Sequence, residues 1–139
     1  MKLTRIDASH PLFEASFTLY EASFPPNERR MREDHLRALQ DADFSPLGAV
    51  EDGMLLADVF LWETEDFCYL EHFAVQPSLR GHGTGSTILR QLLTQDKPLI
   101  LEIEPPEDEI TCRRKHFYER NGLCAHCLLY TSPSPRDCS

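Results

Sequence analysis

The 139 residues carry a formal charge of −9, 41% apolar side chains and eight phenylalanines, which suits one folded domain and excludes a disordered chain. The acidic balance repels phosphate backbones and argues against nucleic-acid partners, while suiting cationic ones such as amines. No apolar run approaches the roughly 20 residues that cross a bilayer, and no signal-peptide core opens the chain. It therefore reads as a soluble cytoplasmic protein with no membrane partner, whose five cysteines, lacking a regular framework, read as reduced thiols.

In chain order, "KLTRI" predicts an opening strand. Leu12, Phe13, Phe17, Tyr20 and Phe24 recur at three- and four-residue spacings and predict an amphipathic helix, stopped by the prolines of "FPPNERR". Asn27 is placed to cap a second helix over about 28–40, with Met31, His35, Leu36 and Leu39 on one side. Its mixed charges read as a solvated face, and His35 and His72 as packing or surface residues. Two strand-like runs flank Asp52-Gly53, a strong hairpin signal, and "DFCYLEHFAV" is a further strand. Regular alternation along that strand groups Glu71 with Tyr69 and Phe73. A glycine-rich loop, a helix to about Gln95, the strand "PLILEIE" and a helix over about 107–120 follow, the last ending at Asn121-Gly122. The order β-α-α-β-β-β-α-β-α makes an α/β domain with a mixed sheet.

The stretch "CLLYTSPSPRD", Cys127 to Asp137, is different material. It resembles the translation of a common transposase sequencing adapter at every residue. The expected division is therefore a domain over 1–126 and an adapter-derived, non-native tail over 127–139.

The loop "SLRGHGTGSTILRQLL" opens a helix with glycines, which let backbone N–H groups approach a ligand where the helix dipole is positive. An anion is the natural occupant, with Ser86 and Thr87 adding hydroxyls and Arg80 a charge. The P-loop pattern fails because Gly85 is followed by Ser86-Thr87 rather than lysine, and "GHGTG" lacks the dinucleotide-fold spacing. A tight strand-to-helix turn without a ligand is the remaining alternative.

"VQPSLRGHGTGSTILRQLL" resembles motif A of the GNAT acyltransferase superfamily, with Arg80, Gly83 and Gly85 filling its loop pattern, and "RKHFYERNGL" resembles motif B. The resemblance covers about residues 2–123. It implies a mostly antiparallel central sheet flanked by helices, with the family's last strands missing or replaced here. It also implies acetyl-CoA as cosubstrate, with pantetheine along the backbone of Phe73, Ala74 and Val75 and pyrophosphate on Gly81, His82, Gly83, Thr84, Gly85 and Ser86. Tyr118 matches the general acid of motif B. Glu102 is placed as general base, with Glu71 and Glu104 as rivals. Thr111 stands where many members carry a coenzyme-contacting asparagine.

The activity so implied is transfer of acetyl to a primary amine of a small molecule or peptide, by direct attack. The alternative is a GNAT-fold coenzyme-binding or regulatory module, or a fragment, without turnover. A free alkylamine (pKa ~10.4) costs roughly 4.6 kcal/mol to present neutral at pH 7, which makes a base worthwhile. Oligomeric state stays open, a homodimer included. His116, Cys124, His126 and Cys127 fit no common zinc spacing, so no metal is expected.

Overall fold

The computed structural model describes residues 1–126 and 129–131 of the chain. One sheet runs in the order β1-β2-β3-β4-β5-β7-β6. Its strands are β1 (Lys2–Arg5), β2 (Phe44–Glu51), β3 (Met54–Glu63), β4 (Cys68–Val75), β5 (Leu99–Glu102), β6 (Cys124–His126) and β7 (Leu129–Thr131). Every neighbouring pair is antiparallel except β4 and β5. The β2–β3 hairpin turns on Asp52 (φ 52°) and Gly53 (φ 74°), both left-handed as a two-residue primed turn requires.

Helices cover both faces. Ile88, Leu89 and Leu92 of α3 (Thr84–Leu93) pack with Ala57, Val59, Leu61 and Leu70 of the sheet, and Phe117 and Tyr118 of α4 (Glu109–Arg120) join them. On the other face, Phe17 and Tyr20 of α1 (Phe13–Ser23) pack on Phe44 and Phe60, with Ala38 of α2 (Arg32–Ala38) and the following Leu39 alongside. No helix among the described residues is long and apolar enough to cross a membrane.

Several expectations need correction. Asn27 does not cap α2: it lies in a 3-10 turn over Pro26–Glu28, and Met31 stands at the α2 N-cap without a side-chain bond. His35, expected at the surface or in packing, is 1% exposed and stacked among aromatic rings, while Arg32, Glu33, Asp34 and Arg37 of α2 are exposed as expected. Cys68 and Cys112 are free thiols, but Cys124 is disulfide-bonded. Leu129–Thr131, within the adapter-like stretch, pair with β5 and with β6, so the edge of β5 is covered. Cys127 and the residues after Thr131 lie outside the described residues.

Asp58 is fully buried on β3 beneath α1; its Oδ1 accepts from the Ser16 hydroxyl at 2.7 Å, while its buried Oδ2 has no partner among the described residues. Desolvation pushes its carboxyl up to about 8. Between the ordinary value of 3.8 and about 8, the unfolded chain has released this proton and the folded chain retains it, so stability falls as pH rises across that window. Asp58→Asn, neutral throughout, should stabilise the protein by a few kcal/mol near pH 8, with a gain that shrinks toward pH 4. Urea midpoints of both proteins across that range measure it; a gain independent of pH contradicts a buried, protonated Asp58.

Candidate functional site

Along β4, Leu70 pairs with Leu61 and His72 with Phe60, which leaves Glu71 as an extra residue without a partner on β3. This bulge reverses the alternation of the strand. Cys68 and Leu70 point into the α3–α4 core before it; after it, Phe73 and Val75 do so. Glu71 therefore does not share a face with Phe73, contrary to the regular alternation expected from the sequence. Phe73 meets Phe117 of α4 (ring centroids 6.3 Å apart), whereas Glu71 meets Arg30 of the α1–α2 connection.

The bulge also decides which backbone groups are free. Gln76 donates its N–H to the Leu56 carbonyl, so by antiparallel alternation Ala74 bonds toward β3, while Phe73 and Val75 turn their N–H and C=O groups away from it. On that side β5 pairs with β4 only at Cys68–Leu99 and Tyr69–Ile100. Beyond Tyr69 the two parallel strands separate, leaving a gap edged by the backbone of Phe73 and Val75. Of the three β4 residues named from the sequence, Ala74 faces β3 instead.

The glycine loop ends at the mouth of this gap. Gly81 (φ 84°) and Gly83 (φ 77°) take the left-handed conformation, and Gly83 stands at the N-cap of α3 with no side chain capping it. Among the described residues no protein acceptor takes the N–H of Gly81, Gly83, Thr84, Gly85 or Ser86; that of His82 closes a long turn bond to Leu79 O at 3.4 Å. A Cβ on Gly85 would lie 3.3 Å from Phe117 and 3.6 Å from Val75, so this glycine lets α3 lean on α4 and β4. Arg80 and His82 are exposed beside the loop. The Thr87 hydroxyl donates to Gly83 O at 3.0 Å, which engages its hydrogen, while Ser86 Oγ accepts from Asn121 at 3.2 Å and keeps its own hydrogen to donate.

The three carboxylates occupy different settings. Glu104 pairs with Arg114 on the surface at 2.9 Å. Glu102, at the exposed end of β5, has no cation partner among the described residues. Glu71 is half-buried, with its Oε1 2.5 Å from Arg30 Nη1 and 3.7 Å from His72 Nε2. Burial first, then the charges of Glu102 and Glu71, raise the Tyr69 phenol, and alternation with Cys68, Leu70, Leu99 and Leu101 puts all three on the face away from the α3–α4 core. His72 and His35 are held neutral by desolvation, each lowered to about 4. The Tyr20 hydroxyl accepts the Arg30 N–H at 2.6 Å. Sequence reasoning missed this group, because Arg30, Tyr20 and His72 come from three elements whose meeting no local spacing announces.

Tyr118 lies on the opposite face, packed into the α3–α4 core and edge-on to Phe117 at 5.2 Å. Desolvation pushes its phenol up to about 12. Thr111 does not reach toward the gap. Buried at 6% exposure, it forms the α4 capping box: its N–H donates to Asp108 Oδ1 at 2.7 Å, and its hydroxyl accepts from the N–H groups of Glu107 and Asp108.

Because a Cβ at Gly83 meets nothing within 4 Å, replacing it tests the backbone conformation alone. Gly83→Ala should cost about 1–2 kcal/mol in urea unfolding, the penalty of a left-handed alanine. An unchanged midpoint would mean that the loop relaxes to another conformation at no cost.

Comparison with known proteins gives the same picture. A family model described as the Acetyltransferase (GNAT) family matches residues 10–123. YjbC of Bacillus subtilis strain 168, classed as an acetyltransferase, is 33% identical over 60 residues, spanning 42% of this chain and 31% of that protein. A solved structure classed as an acetyltransferase of the GNAT family from Bacteroides thetaiotaomicron superposes with a TM-score of 0.85 at 26% identity, covering 94% of this chain and 85% of the other. An aminoglycoside 6′-N-acetyltransferase complexed with coenzyme A shares the fold at a TM-score of 0.72 and 12% identity, over 97% and 99% of the chains. The match over residues 10–123 spans most of the chain, the separating parallel strands and the glycine loop included, and the protein belongs to the GNAT family of acetyltransferases.

Proposed function

We propose that the chain is an N-acetyltransferase that moves acetyl from acetyl-CoA directly to a primary amine of a small molecule or peptide. The observation that carries this reading is the set of amides at Gly81, Gly83, Thr84, Gly85 and Ser86, unengaged among the described residues at the start of α3 and opening onto the backbone edge of Phe73 and Val75. A diphosphate suits the first and an extended amide-bearing arm the second. Residues 127–139 are read as adapter-derived.

The two faces of the gap suit the two halves of the reaction. The amine attacks the thioester carbonyl carbon from the α1–α2 side, a C–N bond forms, and the C–S bond breaks. Phe73 or Val75 N–H can polarise the carbonyl oxygen. Glu102, solvent-exposed and without a cation partner among the described residues, takes the amine proton and passes it to water. Glu71, neutralised by Arg30, orients the incoming ammonium. Environment divides the roles of the two carboxylates. Tyr118, its phenol near 12, returns a proton to the leaving thiolate. Against a thiol of pKa ~8.5 that transfer is about 3.5 units uphill, roughly 5 kcal/mol, so it is concerted with C–S cleavage rather than following it.

A second reading, a coenzyme-binding module without turnover, is favoured by one observation: the strand beside β5 is drawn from the adapter-like stretch. Incubating the full chain with acetyl-CoA and a panel of primary amines separates the two. Thiol release matched by acetylated product supports the enzyme, and Glu102→Gln and Tyr118→Phe should each lower kcat about 100-fold. Calorimetric binding of acetyl-CoA with no release under any amine supports the module. Full activity in Tyr118→Phe removes the acid assignment.

A further inference from the structure

We propose that Arg30 is the positioning residue for the amine acceptor: it holds Glu71 by one carboxylate oxygen and leaves the other open at the gap. This rests on the reading of Glu71 as the group that orients the ammonium. Arg30 Nη1 donates to Glu71 Oε1, while Oε2 has no hydrogen-bond partner among the described residues. The guanidinium is itself fixed from several sides. It lies over the rings of Phe44 (5.0 Å) and Tyr20 (5.7 Å), its Nη2 is 3.5 Å from His35 Nδ1, and its backbone N–H is held by the Tyr20 hydroxyl.

The bulge makes the pairing possible. An unbulged β4 keeps Glu71 in register with the residues that follow it; the extra residue frees its side chain to join His72 on the α1–α2 face. The groups facing Glu71 are Arg30 and His35 from the helix side, Tyr20 from α1, and His72 and Tyr69 from β4 itself. Both histidines are held neutral, so among them Arg30 supplies the positive charge. A fork fixed by two rings and a backbone bond holds a carboxylate in one orientation, which a flexible lysine at the surface does not. The acceptor so recognised is a primary ammonium that docks on the outward oxygen of Glu71, next to the end of β5.

The test follows the side-chain carboxyl resonance of Glu71 in the full chain labelled with carbon-13 glutamate, assigned by its loss in Glu71→Gln. Removing the cation in Arg30→Gln should move the Glu71 carboxyl resonance at neutral pH, and Arg30→Lys should restore it only in part, because the charge returns without the fork. Propylammonium chloride added to the CoA-loaded protein should perturb the Glu71 resonance in the wild type and weakly in Arg30→Gln, with CoA affinity equal in the two. In turnover with propylamine, Arg30→Gln should raise KM about tenfold and change kcat less. An unchanged Glu71 resonance in Arg30→Gln overturns the clamp. A changed resonance with no propylammonium response in the wild type overturns the role of Glu71 on which the clamp depends.

Discussion

Leu70 faces Leu61 and His72 faces Phe60, and the residue between them, Glu71, faces nothing on β3. That single unmatched residue changes the phase of β4. Before it, Cys68 gives its N–H to Pro98 at the foot of β5. After it, the groups that point toward β5 belong to Phe73 and Val75, by which point β5 has moved away. An unbulged β4 would present a different set of amides to the gap and turn Phe73 away from Phe117. Glu71 would also lose its place beside His72. On the proposed reading, coenzyme side and acceptor side both depend on one irregularity in pairing, as features beside active sites often do.

What the sequence made legible was whatever local chemistry determines. Asp52-Gly53 requires two left-handed residues, and only a hairpin uses them well. The glycines at 81 and 83 sit where the backbone is left-handed, and Gly85 where a side chain would strike Phe117. Asn121-Gly122 closes α4 with Gly122 at φ 94°. The rest depended on partners distant in the chain. A bulge is a property of two strands in register, and "CYLEHFAV" alternates equally well without one. Arg30 sits in a run of alternating charge that looks solvated, and only tertiary packing places it between Phe44 and Tyr20. Thr111 stands where many family members carry a coenzyme-contacting asparagine, and Asp108 three residues earlier engages it as a helix cap.

The sheet separates two kinds of environment. Toward α3 and α4 lie aliphatic side chains and Tyr118, whose phenol, pushed up to about 12, is protonated at neutral pH. Toward α1 and α2 lies an aromatic layer threaded with polar groups: Ser16, Tyr20, His35, Asp58 and His72 are all nearly or fully buried. Desolvation leads the shifts of Tyr20, His35, Asp58 and His72, and in every case it favours the neutral form. Such a layer disfavours any charge that lacks a partner. Arg30 and Glu71 enter it as a pair.

This neutrality has a consequence for how the acceptor is met. On the reading proposed above, a protonated amine arriving at the gap finds Asp58, His35 and His72 uncharged at neutral pH, so they neither compete with Glu71 for it nor repel it. The local field is then set by Glu71, Arg30 and the more distant Glu102. On that reading Arg30 fixes where Glu71 points, so the ammonium docks in one orientation and Glu102 at the solvent edge is the carboxylate left free to receive its proton. A Glu71 released from Arg30 keeps its charge but loses its direction, and since only a neutral amine aimed at the thioester reacts, the placement of the carboxylate matters more than its strength.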